Sequence, residues 1–165
     1  MDEATRKLVR LHAGDRCEYC LHRQEDAETT HHIKHIVAKQ HLGSDDLSNL
    51  ALACIHCNSH KGPNLTGIDP ESGGIVPLFN PRLHFWADHF TLRGALIVGV
   101  TPTGRTTAHV LAMNARTGST SARSSLPGDS ILDAMRKWGD PKGGNIGSRQ
   151  RTGAWETGAR GRDDR

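Results

Sequence analysis

Apolar positions along the chain come in short groups whose spacing changes from helical to strand-like and back. Over residues 5–13, Leu8, Val9 and Leu11 stand among Arg6, Lys7, Arg10 and His12, and Gly14 comes next as a stop. This pattern predicts a short amphipathic helix. Residues 29–37 alternate loosely and carry Thr and Ile, which predicts a strand pair with little room between its arms. Gly43, Ser44, Asp45 and Asp46 then mark a loop. Ser48 or Asn49 can cap the next element, a helix expected to run through LALACIHCNSHK and to end at Gly62 and Pro63. Leu50 and Leu52 start its apolar side, while Cys54, Cys57, Asn58 and Lys61 fall at i, i+3, i+4 and i+7 and share another face.

From residue 64 the chain is punctuated by Gly and Pro, and Phe79, Phe85, Trp86 and Phe90 hold most of its few aromatics. Residues 96–100 predict a strand; residues 108–114 suit either a further strand or a short helix. After about Arg116 the periodicity fades into Gly, Ser, Arg and Asp, with one or two helical turns at most over 131–138, and this stretch is expected to be disordered. The organisation expected is therefore a first unit over 1–63, an α+β extension packed on it over 64–115, and a tail over 116–165.

Composition sharpens that division. The 165 residues suffice for one domain of ordinary size, but only 35% are hydrophobic, 4% are aromatic and 18 are Gly, so a compact part and a loose part are expected. A formal charge of +3 permits a polyanionic partner and argues against a tight, purely electrostatic binder. No run of about 18 apolar residues is present, and MDEATRKLVRL lacks the apolar core of a secretory signal. The expectation is a soluble, cytoplasmic protein without a membrane partner.

A reducing compartment changes the meaning of the cysteines. All four lie in two C-x-x-C pairs, Cys17/Cys20 and Cys54/Cys57, separated by 33 residues, and seven of the eleven histidines lie between or beside them. Thiols so placed are read as metal ligands before disulfides. Four soft thiolates make a closed tetrahedral Zn²⁺ site, structural because no position is left for water. Tyr19, inside the first pair, is expected to pack beside it.

The remaining polar residues form an ordered pattern. His35 is succeeded by Ile36, then by Asn49-Leu50, then by C-x-x-C-N-x-x-K from Cys54 to Lys61. Between about Arg16 and Gly62 this order resembles the HNH endonuclease family in its zinc-knuckle branch, and the FNPR and FWADHF segments look like the stretch downstream of that motif in short bacterial HNH proteins. The resemblance implies a ββα-metal (His-Me finger) core with a structural zinc knuckle, and metal-dependent hydrolysis of DNA phosphodiester bonds. Carried over residue by residue, His35 is the general base and Asn49 ties the loop to the hairpin and orients the His35 backbone. Asn58 is the helix-borne ligand of a catalytic divalent ion, and Lys61 lies near the phosphate. The residue types suit the reaction: an imidazole, with an ordinary pKa near ~6.5, takes a proton from water, and an amide oxygen suits Mg²⁺ or Mn²⁺.

Close relatives in that family usually carry Asp or Glu before the catalytic His, where it binds the catalytic ion; this chain has Lys34. Three readings are open. His32, two residues earlier on the same strand face, serves as a nitrogen ligand and favours Mn²⁺, Ni²⁺ or Zn²⁺ over Mg²⁺. Alternatively the register is His31-His32 with His32 as base, although His32 lies three residues too far from Asn49. The third reading is a catalytically impaired HNH-fold zinc module that still binds nucleic acid.

Overall fold

The computed structural model describes residues 1–115. Helix α1 (Glu3–Ala13) starts where Asp2 accepts a hydrogen bond from the Thr5 N–H at 2.7 Å and stops at Gly14, whose φ of 52° is left-handed. Val9 and Ala13, four residues apart, are its buried stripe, while Leu8 and Leu11 stay outside.

The two strands β1 (His32–His35) and β2 (Leu50–Ala53) pair antiparallel, with His32 opposite Ala53 and His35 opposite Leu50. Helix α2 (Ile55–Lys61) comes directly after. This corrects two sequence expectations. Residues 29–37 hold one strand, not a strand pair; its partner comes from beyond the loop. Residues 50–53 are that partner and not the start of the helix, which begins only after Cys54. The reason is burial on both faces: Leu50 and Leu52 pack with Ile33, Val9 and Ala13, while Ala51 and Ala53 join the core that contains the cysteines. A short continuous apolar run enclosed on both faces is satisfied as a strand, even in a two-stranded sheet.

The extension adds two hairpins and two helices. Strands β3 (Thr66–Ile68) and β4 (Ile75–Pro77) pair, helix α3 (Trp86–His89) leads into β5 (Phe90–Arg93), and β5 pairs with β6 (Leu96–Gly99). Helix α4 (Pro102–Val110) is capped by Thr101 and carries Pro at its first position. Residues 108–114 are therefore the end of a helix and the turn after it, in which the Asn114 amide brackets the backbone N–H and carbonyl of Ile97. Helix α4 meets β6 backbone to backbone: a Cβ on Gly99 would lie 2.2 Å from the Arg105 nitrogen, and one on Gly104 only 2.0 Å from the His89 carbonyl oxygen.

The first unit and the extension share a core. Cys17, Tyr19, Ala51 and Cys57 cluster with Phe79, Phe90, Ile97 and Met113. Polar ties cross the same boundary: the Trp86 indole donates to the Tyr19 carbonyl at 2.8 Å, and the His56 ring to that of Ala112 at 2.9 Å. The guanidinium of Arg82 grips both carboxylate oxygens of Glu18 and donates from Nε to the Leu47 carbonyl. Glu18 in turn accepts from the Leu52 N–H at 2.7 Å, so the knuckle, β2 and the extension meet at one carboxylate. Asp69, buried in the β3–β4 hairpin, binds Arg105 of α4 through both oxygens at 2.9 and 2.7 Å. Among the described residues no helix is long and apolar enough to cross a membrane. The expected disordered stretch over 116–165 lies outside the described residues.

Candidate metal centre and active site

The first cysteine pair lies in a tight turn after α1. The Leu21 N–H returns to the Cys17 carbonyl at 2.8 Å, and Leu21 itself takes a left-handed φ of 61° to reverse the chain. The second pair sits on the first turn of α2, where the Cys54 sulfur accepts from the Cys57 N–H at 3.4 Å as the N-cap. The four sulfurs lie within 4.8 Å of one another, with Cys20 and Cys54 3.7 Å apart. A tetrahedral zinc with Zn–S bonds of about 2.3 Å sets its sulfurs about 3.8 Å apart, so the donor set fits that ion. Electrostatics agree. Hydrogen bonds from the other three thiols favour the thiolate at Cys54, whereas burial pushes Cys17 up and the neighbouring sulfurs push Cys57 up. Four sulfurs this close together, three of them buried, cannot all ionise without a cation among them. Tyr19 is buried beside the site and packs edge-on against Phe79 at 6.5 Å.

Strand β1 presents two faces. His32 and Lys34 stand opposite Ala53 and Ala51, on the side of α2; Ile33 and His35 stand opposite Leu52 and Leu50. On the second face the His35 Nε2 meets the Asp45 carboxylate at 2.7 Å, and the other oxygen of Asp45 accepts from Lys39 Nζ at 2.8 Å. Those two contacts, Lys39 first, draw the Asp45 carboxyl down to about 2. In the sequence Asp45 reads only as a turn residue. Its one signal was a carboxylate in the loop between His35 and Asn49, and pairing with His35 is a matter of how that loop folds back.

Asn49 determines that fold. Its side-chain oxygen accepts from the Val37 N–H at 2.8 Å, and its nitrogen donates to the carbonyls of Val37 and Ser44 at 2.9 and 2.8 Å. The amide thus grips the backbone two residues beyond His35, and the Asn49 carbonyl accepts from Ile36. Gly43 lies so close beneath that a Cβ there would be 1.7 Å from the Val37 oxygen.

On the first face the Lys34 ammonium donates to the Asn58 backbone carbonyl at 3.3 Å. The Asn58 side-chain amide makes no hydrogen bond among the described residues, and His32 is exposed at the strand end. The donors on this side are thus an imidazole and one neutral amide, with an ammonium beside them. That set does not fit a hard, oxygen-seeking Mg²⁺ ion.

Lys61, expected near a phosphate, is 2% exposed and donates instead to the carbonyls of Ile36 and Asn64 at 2.8 and 3.0 Å. Its shared face with Cys54 and Cys57 is the inward one, so it acts as a strut between α2 and the end of β1. Burial, then the Lys34 charge, lowers its pKa to about 8. His31 is likewise internal, its ring on the His22 carbonyl and its N–H on Gln24, so His31 and His32 do not stand side by side on a surface. No curated protein and no solved structure matches the chain. Residues 17–64, which hold the four cysteines, His32, His35, Asn49, Asn58 and Lys61, match the family model for the HNH endonuclease.

Proposed function

We propose that this protein hydrolyses phosphodiester bonds in DNA, with His35 as general base. The observation that carries the reading is the His35–Asp45 pair, set within the stretch that matches the HNH endonuclease model. A carboxylate on one ring nitrogen fixes the tautomer, steadies the imidazolium that forms, and leaves Nδ1 to take the proton of an attacking water. Asn49 and Gly43 hold the loop from which Asp45 reaches His35. The β1–β2–α2 order supports a ββα-metal reading, with Asn58 on the helix beside the strands. His32 and Asn58 are the candidate ligands of a catalytic divalent ion, a set that suits Mn²⁺ or Ni²⁺ better than Mg²⁺. The cysteine-bound zinc has a structural role.

A second reading, a zinc module that binds nucleic acid without cleaving it, is favoured by one specific contact: the Lys34 ammonium on the Asn58 carbonyl, at the face where a cation would sit. Supercoiled plasmid incubated with zinc-loaded protein and Mg²⁺, Mn²⁺ or Ni²⁺ in turn, against a chelator control, distinguishes them. Under the first reading the plasmid is nicked, and His35→Ala slows nicking by about 100-fold or more. Nicking by His35→Ala at the unaltered rate refutes the base assignment. Binding without nicking under every ion, with Lys34→Glu conferring Mg²⁺-dependent nicking, establishes the second.

A further inference from the structure

Four non-glycine residues of the described chain have left-handed backbones, Asp15, Leu21, Leu42 and Ala112. Asp15 is polar, while Leu21 and Ala112 are partly enclosed. Leu42 is different: it is apolar and 95% exposed, with φ 62° and ψ 25°. A branched side chain in that region is strained, and an exposed leucine gains nothing from burial to offset the strain.

The loop is not loose at this point. The turn Lys39–His41 ends with the Leu42 N–H on the Lys39 carbonyl at 2.9 Å, and the next N–H, of Gly43, reaches Ala38 at 3.1 Å. Gly43 is pressed onto the Val37 carbonyl and leaves no room for the loop to sink. Leu42 is therefore held outward at the tip, one short turn from Lys39, whose ammonium joins Asp45 and, through it, His35.

We propose that Leu42 is a wedge that enters duplex DNA beside the cleavage site, inserting between neighbouring base pairs. The inference rests on the DNA reading above. Leucine is one of the side chains that unstack a base step when presented on a rigid support flanked by cations, and burial between bases supplies the contact that solvent does not. Lys39, Gln40 and His41 lie on the same turn, with Gln40 and His41 exposed, so in such a complex they would lie nearest the flanking phosphates, with the Lys39 charge shared with Asp45.

Insertion unwinds DNA wherever it occurs, so the test needs no known site. Full-length, zinc-loaded His35→Ala protein is bound to closed circular plasmid, the plasmid is relaxed by a topoisomerase, and its linking number is read after protein removal. The expected result is a lowered linking number that disappears when Leu42→Gly or Leu42→Asn is added and persists with Leu42→Phe. Affinity for a short labelled duplex falls about tenfold in the Gly and Asn variants. Leu42→Gly keeps the unfolding midpoint at or above its parent's, because glycine accepts the backbone without strain. An unchanged linking number despite measured binding overturns the wedge alone. Absence of any DNA binding by the Leu42-containing protein overturns the DNA reading and the wedge together.

Discussion

Cys54→Ser is expected to strip zinc and unfold the described region in one step. Serine is a good helix N-cap, so this substitution keeps the acceptor for the Cys57 N–H and removes only the thiolate. Whatever stability is lost then reports on the metal. Structural zinc sites contribute on the order of 10 kcal/mol to folding, comparable to the whole net stability of a domain of this size, roughly 5–15 kcal/mol. The sulfurs also lie in the middle of the shared core, beside Tyr19, Phe79 and Phe90, so loss of the metal is not confined to a loop. Zinc content by elemental analysis and the unfolding midpoint should fall together. Full zinc with an unaltered midpoint would refute the four-thiolate site.

Arg82→Ala should cost about 3–5 kcal/mol in a urea unfolding experiment at neutral pH, because it abandons a buried carboxylate. Glu18 lies in the interior with both oxygens on the Arg82 guanidinium, a contact from His12, and the Leu52 N–H. Burial raises its pKa, but the His12 and Arg82 contacts together outweigh burial and leave the carboxyl below its ordinary value. Its contribution to stability is therefore complete above the unfolded-state pKa of about 4.3 and is lost as pH falls through the folded value. Without Arg82 the sign reverses: burial dominates, the folded-state pKa rises, and the penalty is largest at neutral pH and shrinks as acid protonates Glu18. Glu18→Gln in the Arg82→Ala background should recover part of the loss at pH 7. A cost below about 1 kcal/mol would mean that water, not Arg82, satisfies the carboxylate.

The ends of elements were easier to read than their kinds. Gly14 stops α1 and Gly62 stops α2, each with a positive φ that favours glycine, a local requirement. Leu-Ala-Leu-Ala reads as helix by propensity and lacks any β-branched residue; only enclosure between α1 and the cysteine core makes it β2. Strands β3 and β4 have three residues each, β4 ending in Pro77, and leave too short a pattern to register. Thr101 and Pro102, the cap and first residue of α4, are helix-start signals that Gly104 in the first turn opposes.

The candidate site divides in the same way. The cysteines announced themselves because a metal needs them in pairs at fixed spacing. The helical face carrying Lys61 is legible in the spacing, but spacing cannot tell which face points inward, and the resemblance that places Lys61 near a phosphate does not reveal its burial. Asp45 escaped because its partner is determined by the Asn49 and Gly43 contacts that fold the loop, none of which leaves a periodic trace.

Helix α2 has only seven residues, too few to persist alone. It is staked at both ends, at one by Cys54, which is at once cap and metal donor, and at the other by Lys61 on the Ile36 carbonyl. Asn58 sits between the stakes. Under the proposed reading, the aim of that amide would thus depend on an ion that takes no part in the reaction. Zinc in a preparation would then determine how many molecules are competent while leaving the turnover of each competent molecule unchanged: the amplitude of a single-turnover reaction would track metal content, and its rate constant would not.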